Sequence, residues 1–228
     1  KEAATGKLLP NFLQALQKKG MSYICEVKKA SPSKGIIAEN FPYLDIAKEY
    51  EQAGASAISC LTEPFWFLGS DKYLEEITEA VNIPVLRKDF TINEYMIYQA
   101  RAFGASAVLL ICAILDDKQL KSYRELAEEL GMNALVEAHS AEEVQRALKA
   151  GAKIIGVNNR DLRTFKVDTR NSIALRNLAP ADKVFVSESG IKTSEDIKVL
   201  SENGVDAVLI GETLMRSADK AAALVELN

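Results

Sequence analysis

Four short segments of this 228-residue chain resemble one another: AGASAI (53–58), FGASAV (103–108), AGAKII (150–155) and NGVDAV (203–208). Their glycines, Gly54, Gly104, Gly151 and Gly204, stand 50, 47 and 53 residues apart. Each segment follows an amphipathic stretch and precedes an apolar run. A glycine just past a helix end takes the left-handed backbone that a Cβ resists. Each junction therefore reads as a helix stop followed by a strand start. An interval this long exceeds one helix and one strand of ordinary size and fits two strand–helix units.

Filling in the intervals gives eight apolar strand candidates: 23–28, 57–62, 84–90, 107–114, 133–138, 154–159, 184–188 and 207–211. Helical patterns such as NEYMIYQARAFG and SAEEVQRALKAG lie between them. Ser140 to Glu143 and Ser194-Glu195-Asp196 read as helix starts, with acids suited to the N-terminal dipole. Regular alternation of strand and helix implies a parallel sheet. Eight units in about 200 residues is the size of a (β/α)8 TIM barrel. A doubly wound open sheet is the alternative, but its G-x-G-x-x-G turn is absent. Residues 8–20 predict a short helix before the first strand, and no linker divides residues 1–228 into more than one domain.

Strands of a parallel barrel are covered on both faces, so ionisable residues on them are costly unless paired or functional. Here they gather at the C-terminal strand ends, where barrel enzymes keep their active sites. The first strand carries Glu26 and Lys28 on one face; the third ends in Arg87, Lys88 and Asp89; the fifth carries Glu137. The sixth carries Asn158 and Arg160, and the seventh carries Glu188 and Ser189. One charge at one strand end is ordinarily a solvated terminus, but repetition over five or six strands reverses that reading. Arg87 and Asp89 have the opposite parity to Lys88 and read as structural. His139, the only histidine, reads as a surface or supporting residue rather than a catalytic one. Proton transfer is left to Glu and Lys, which requires shifted pKa values. SPSKG, SESG and IGET supply hydroxyls, glycines and backbone N–H groups at the same end, which suits phosphate.

The net charge is −4 and no basic block or tail occurs, which argues against a nucleic-acid partner. No apolar stretch approaches the ~18 residues of a membrane span, and KEAATGKLLPNF holds no signal-peptide core. The chain begins at Lys1 rather than Met, which leaves room for upstream sequence. Cys25, Cys60 and Cys112 all fall in apolar runs without a C-x-x-C pair, the pattern of buried free thiols in a reducing cytoplasm.

Seven segments in order, CEVKKASPSKG, LTEPFWFLGS, LRKDF, LVEAH, GVNNRDL, SESGI and IGETLM, give the chain its resemblance to the indole-3-glycerol phosphate synthase family. They run from the first strand to the end of the eighth. The resemblance implies a cytoplasmic carboxy-lyase of tryptophan biosynthesis. Its substrate would be 1-(o-carboxyphenylamino)-1-deoxyribulose 5-phosphate, converted to indole-3-glycerol phosphate with loss of carbon dioxide and water. It further implies no metal or organic cofactor, a monomer, and other tryptophan-pathway enzymes as the candidate protein partners.

The same resemblance assigns the roles. Lys88, its pKa lowered by desolvation and neighbouring cations, would protonate the carbonyl, Glu137 would be the base, and Lys28 the acid and carboxylate partner, with Glu26 and Asn158 assisting catalysis. Arg160 would hold the anthranilate carboxylate. Glu188 joins the substrate-binding set, while Ser31, Ser189, Gly190, Gly211 and Glu212 map to the phosphate region, Glu212 through its backbone N–H. Phe90 would wall the aromatic ring, though an ordinary core phenylalanine is an equal reading. Only 22 residues precede Tyr23, fewer than the family's usual segment over the barrel mouth, a departure that bears on affinity rather than chemistry. Phosphoribosylanthranilate isomerase, a Schiff-base aldolase and a phosphate-binding scaffold are the rivals, and the set Lys28, Lys88 and Glu137 argues against the first and last.

Overall fold

The computed structural model describes residues 8–161 and 164–227. Eight parallel strands close on themselves: β1 (Ser22–Val27), β2 (Ala57–Leu61), β3 (Val85–Lys88), β4 (Ala107–Ile111), β5 (Asn133–Ala138), β6 (Ile154–Asn158), β7 (Val184–Glu188) and β8 (Ala207–Ile210). β1 pairs with both β2 and β8, so no strand edge is left open. Helices separate all successive strands, giving the (β/α)8 barrel expected from the glycine spacing. Gly54, Gly104, Gly151 and Gly204 all have positive φ, between 77° and 93°, as helix-terminating glycines should.

Predicted and observed strands agree within a few residues, and the differences have local causes. β3 stops at Lys88 because the Asp89 carboxylate turns back to accept the Phe90 N–H at 2.8 Å. β4 stops at Ile111 because the Ile111 carbonyl accepts from both Ile114 and Leu115, closing a turn. The N-terminal helix covers only Phe12–Leu16, shorter than predicted. Asn11, following Pro10, caps it through the Gln14 N–H, and the charged Lys18-Lys19 and Gly20 at φ 91° end it. A two-stranded antiparallel hairpin, Ala30–Ser31 with Gly35–Ile36, follows β1 and was not foreseen.

Two apolar layers hold the barrel. The larger lies between strands and helices and includes Tyr50, Ile58, Leu74, Leu110, Val136 and Phe185. The other fills the barrel: Ile24, Leu86, Leu109, Leu135, Ile154, Val186 and Leu209 point inward. Phe12 and Leu16 belong to this inner layer and close its N-terminal end. Leu13 N–H donates to Asn133 Oδ1 at 3.0 Å at the start of β5, fastening the plug. The barrel is thus sealed below, and inward-facing polar residues collect above. No helix among the described residues is long and apolar enough to cross a membrane.

Candidate active site

At the C-terminal mouth, alternate residues of adjacent strands face inward and place their side chains side by side. The register aligns Leu61 with Lys88, Ile111 with Glu137, Glu137 with Gly156, and Asn158 with Glu188. Lys88 Nζ lies 3.7 Å from Glu137 Oε2 and 3.9 Å from Glu188 Oε2. Glu137 and Glu188 are almost wholly buried, at 3% and 2% exposure. The Glu26 carboxylate grips Lys28 Nζ at 2.7 Å and accepts from Ser59 at 3.4 Å.

Three buried carboxylates around one ammonium set the electrostatics. Burial pushes the Lys88 ammonium down, but Glu137, Glu188 and Glu26 outweigh it, and its pKa lies above the ordinary lysine value. The expectation of a lowered Lys88 is therefore overturned: its nearest charges are acids, not cations. Burial and the Glu137 charge hold the Glu188 carboxyl well above the carboxylate range, with Lys88 opposing. Burial also disfavours ionised Glu26, but Lys28 and Lys88 reverse this and lower its pKa. The same site thus holds one carboxyl biased to keep its proton and one biased to lose it.

A cavity of ≈ 760 Å³ opens beside this group. Glu26, Lys28, Arg160, Ser189, Gly190, Gly211 and Glu212 line it. Glu26 connects the two groups, lining the cavity while interacting with Lys88. Gly211 is small for a reason: a Cβ there would stand 2.5 Å from Glu26 Oε1 and 2.9 Å from Lys28 Nζ. Ser189 and Gly190 turn the chain after β7 with φ of 69° and 88°. The carboxylate of Glu212 pairs with Lys34 at 3.4 Å and Arg216 at 3.1 Å, so its charge is offset within the cavity wall. Asn158 Oδ1 accepts the Arg160 N–H at 3.0 Å, and Arg160 Nη1 reaches the Phe165 carbonyl at 3.3 Å.

Lys88, Glu137, Asn158 and Glu188 stand beside the cavity rather than in its lining, and Ser31 and Phe90 also fall outside it. Ser31 is buried in the hairpin, and Lys34 from the same SPSKG loop lines the cavity instead. Phe90 is 41% exposed at the rim, 6.4 Å from the Phe67 ring. Sequence reasoning missed Lys34, Lys192 and Arg216, all cavity cations; their signal was a basic residue in or after each phosphate-like loop. It also missed Asn159, the outward asparagine of the NN pair. Asn159 Nδ2 donates to Ser187 Oγ at 2.9 Å and to the Ser189 carbonyl at 3.1 Å, while Oδ1 accepts from Ser172 N–H and Oγ. This buried knot fixes the strained Ser189 turn.

Arg87 and Asp89 stand outside the barrel interior, as their parity predicts. Arg87 is buried, bonded to Asp71 at 2.8 Å, Thr62 at 3.1 Å and the Met96 carbonyl at 2.9 Å. Cys25, Cys60 and Cys112 are buried and free, and burial pushes the Cys112 thiol up to about 12.

The family model for indole-3-glycerol phosphate synthase matches residues 2–227. The chain belongs to the indole-3-glycerol phosphate synthase family. Its similarity to the family is high over nearly its whole length. It is 60% identical over 217 residues to the indole-3-glycerol phosphate synthase of Ruminiclostridium cellulolyticum, covering 95% of this chain and 84% of that one. It is 61% identical over 218 residues to that of Endomicrobium trichonymphae, covering 96% and 84%. Family membership carries the class implied by the seven motifs, a carboxy-lyase of tryptophan biosynthesis. Among solved structures, a 3-hexulose-6-phosphate synthase superposes with a TM-score of 0.73 at 18% identity, covering 91% of this chain and 98% of that one, a likeness of fold.

Proposed function

We propose that the chain converts 1-(o-carboxyphenylamino)-1-deoxyribulose 5-phosphate to indole-3-glycerol phosphate with Lys88, Glu137 and Lys28 moving the protons. The observation that carries this reading is the Lys88 ammonium between Glu137 and Glu188 at the barrel mouth. Lys88 enters the reaction charged and gives its proton to the carbonyl oxygen as the aromatic carbon attacks. Departure of carbon dioxide restores the aromatic ring. Lys28, held by Glu26, protonates the departing hydroxyl, and Glu137 takes the proton released from carbon. The water formed carries two protons from the enzyme and the base returns one, so each turnover draws one proton from solvent.

Asn158 bonds a hydroxyl or intermediate, and Arg160 forks onto the anthranilate carboxylate. Glu188 joins the substrate-binding set beside Lys88. Ser189, Gly190, Gly211 and Glu212 receive the phosphate through backbone N–H groups, with Lys34 and Lys192 adding charge. Phe90 forms the aromatic side of the mouth, and Ser31 supports the hairpin that carries Lys34. In this reading residues 1–228 work as one domain, a cytoplasmic monomer whose ligand is a small phosphorylated substrate. A fluorescence assay of the purified chain with that substrate tests it. Appearance of indole product is the expected result; binding without turnover would overturn it.

A further inference from the structure

Glu137 is flanked on both oxygens, and only one flank belongs to the reaction proposed above. Its Oε2 faces Lys88 at 3.7 Å. Its Oε1 faces Nε2 of His139 at 3.5 Å. His139 lies two residues after Glu137, so it shares the inward parity. Its other nitrogen, Nδ1, stands 3.4 Å from Glu143 Oε2. That same oxygen accepts the His139 backbone N–H at 2.7 Å. Glu143 is itself fixed in the first turn of the helix Ala141–Lys149, where Ser140 Oγ accepts its N–H at 3.2 Å. Asn171 Nδ2 donates to the His139 carbonyl at 3.4 Å.

Main-chain bonds therefore fix where the ring sits, while the ring bonds remain to be made. Both ring nitrogens are buried, and neither has a hydrogen-bond partner among the described residues. A histidine kept only for packing would satisfy those nitrogens or leave them to water. Each instead stands 3.4–3.5 Å from a carboxylate oxygen, near it but without the close, aligned N–H of a made hydrogen bond. Hydrogen bonds of catalytic groups are often long before substrate arrives and tighten with it. The charged groups facing the ring are Glu137 from β5 and Glu143 from the following helix, with Lys88 beyond Glu137.

We propose that His139 is a positioning residue for Glu137. Glu143 accepts from Nδ1 and Oε1 of Glu137 accepts from Nε2, an arrangement that requires a proton on both ring nitrogens, and Oε2 is thereby presented to the substrate beside Lys88. The inference rests on the reading of Glu137 as the base. A carboxylate on the far nitrogen fixes the orientation of a histidine ring.

Steady-state kinetics of His139→Leu, His139→Gln, Glu137→Gln and the double variant Glu137→Gln with His139→Leu test it. His139→Leu is expected to lower kcat about 10-fold or more with KM nearly unchanged, the mark of a misplaced catalytic group. His139→Gln, which keeps an N–H for Oε1, recovers most of that loss. In the Glu137→Gln background the loss of His139 costs nothing further. An unchanged kcat in His139→Leu, or additive losses in the double variant, overturns the proposal. Should His139→Leu fail to fold, Glu143→Gln carries the test, because it keeps an oxygen for the His139 N–H; an unchanged kcat there overturns it too. Normal turnover in Glu137→Gln would instead remove the base assignment, so the two failures are told apart by that variant alone.

Discussion

Gly156 of β6 lies directly against the Glu188 carboxylate of β7: a Cβ on Gly156 would collide with Glu188 Oε1 and would stand 3.1 Å from Leu135 Cδ1. A glycine inside a strand gives up packing and backbone entropy, and here it leaves the space that a buried carboxylate occupies. Gly156→Ala should displace the flexible Glu188 side chain rather than the backbone. The expected outcome is a loss of kcat of about 10-fold or more with little change in Tm, because a small misplacement near the chemistry costs rate before stability. Kinetics and thermal melting on one preparation check it. An equal kcat would show that Glu188 does not act through its position.

Lys88→Met and Glu137→Gln should each lower kcat by ~10²-fold or more, the usual scale of general acid–base work. Single-turnover assays separate that loss from product release. Near-normal turnover in either variant would remove the role given to it.

Glu188 should make stability depend on pH. Its carboxyl sits well above the ordinary range, whereas the unfolded chain ionises it near ~4.3. Above that pH, and up to the raised folded value, the folded state binds more protons than the unfolded one. Stability is then lost as pH rises through that window. Glu188→Gln removes the loss. Its gain in Tm over the parent should be absent near pH ~4 and grow toward neutrality. A gain independent of pH would count against a proton held on Glu188.

Arg87 should matter for folding and not for chemistry. Replacing it with Met takes the guanidinium from beside the Asp89 carboxylate and breaks the bonds to Asp71, Thr62 and Met96. Losing hydrogen bonds made by a buried charged group costs about 1.5–3 kcal/mol. Urea denaturation should report a loss of that order, with kcat of the folded fraction unchanged. A fall in kcat would place Arg87 in the reaction.

Glu63 braces the loop after β2. Its buried carboxylate accepts the N–H groups of Phe65, Trp66 and Phe67 at 2.9, 2.7 and 2.9 Å. Glu63→Ala leaves those donors without it and is expected to cost roughly 2–3 kcal/mol. The exposed Phe65 and Trp66 rings would lose their fixed places. Urea denaturation of the variant beside the parent checks it, and an unchanged midpoint would count against the brace.

Much of this was legible because parity and period are written in the chain. The four glycines fixed the barrel's rhythm, and place at the strand ends singled out Glu26, Lys28, Lys88 and Glu137 before any distance was known. The opposite parity of Arg87 likewise foretold its structural place. What escaped has physical reasons. The hairpin at Ala30–Ser31 is two residues per strand, below any period that can be read. Lys34 reaches the cavity through that hairpin. The raised pKa of Lys88 depends on three carboxylates brought from other strands, which only the barrel's closure assembles. Gly156 could not be read as a space for Glu188 without knowing that β6 and β7 stand together.

The inward side chains that fill the barrel, closed below by Phe12 and Leu16 at 0% and 1% exposure, leave the C-terminal mouth as the side from which the site is reached. Substrate, the carbon dioxide and water formed from it, and the indole-3-glycerol phosphate all cross that one rim.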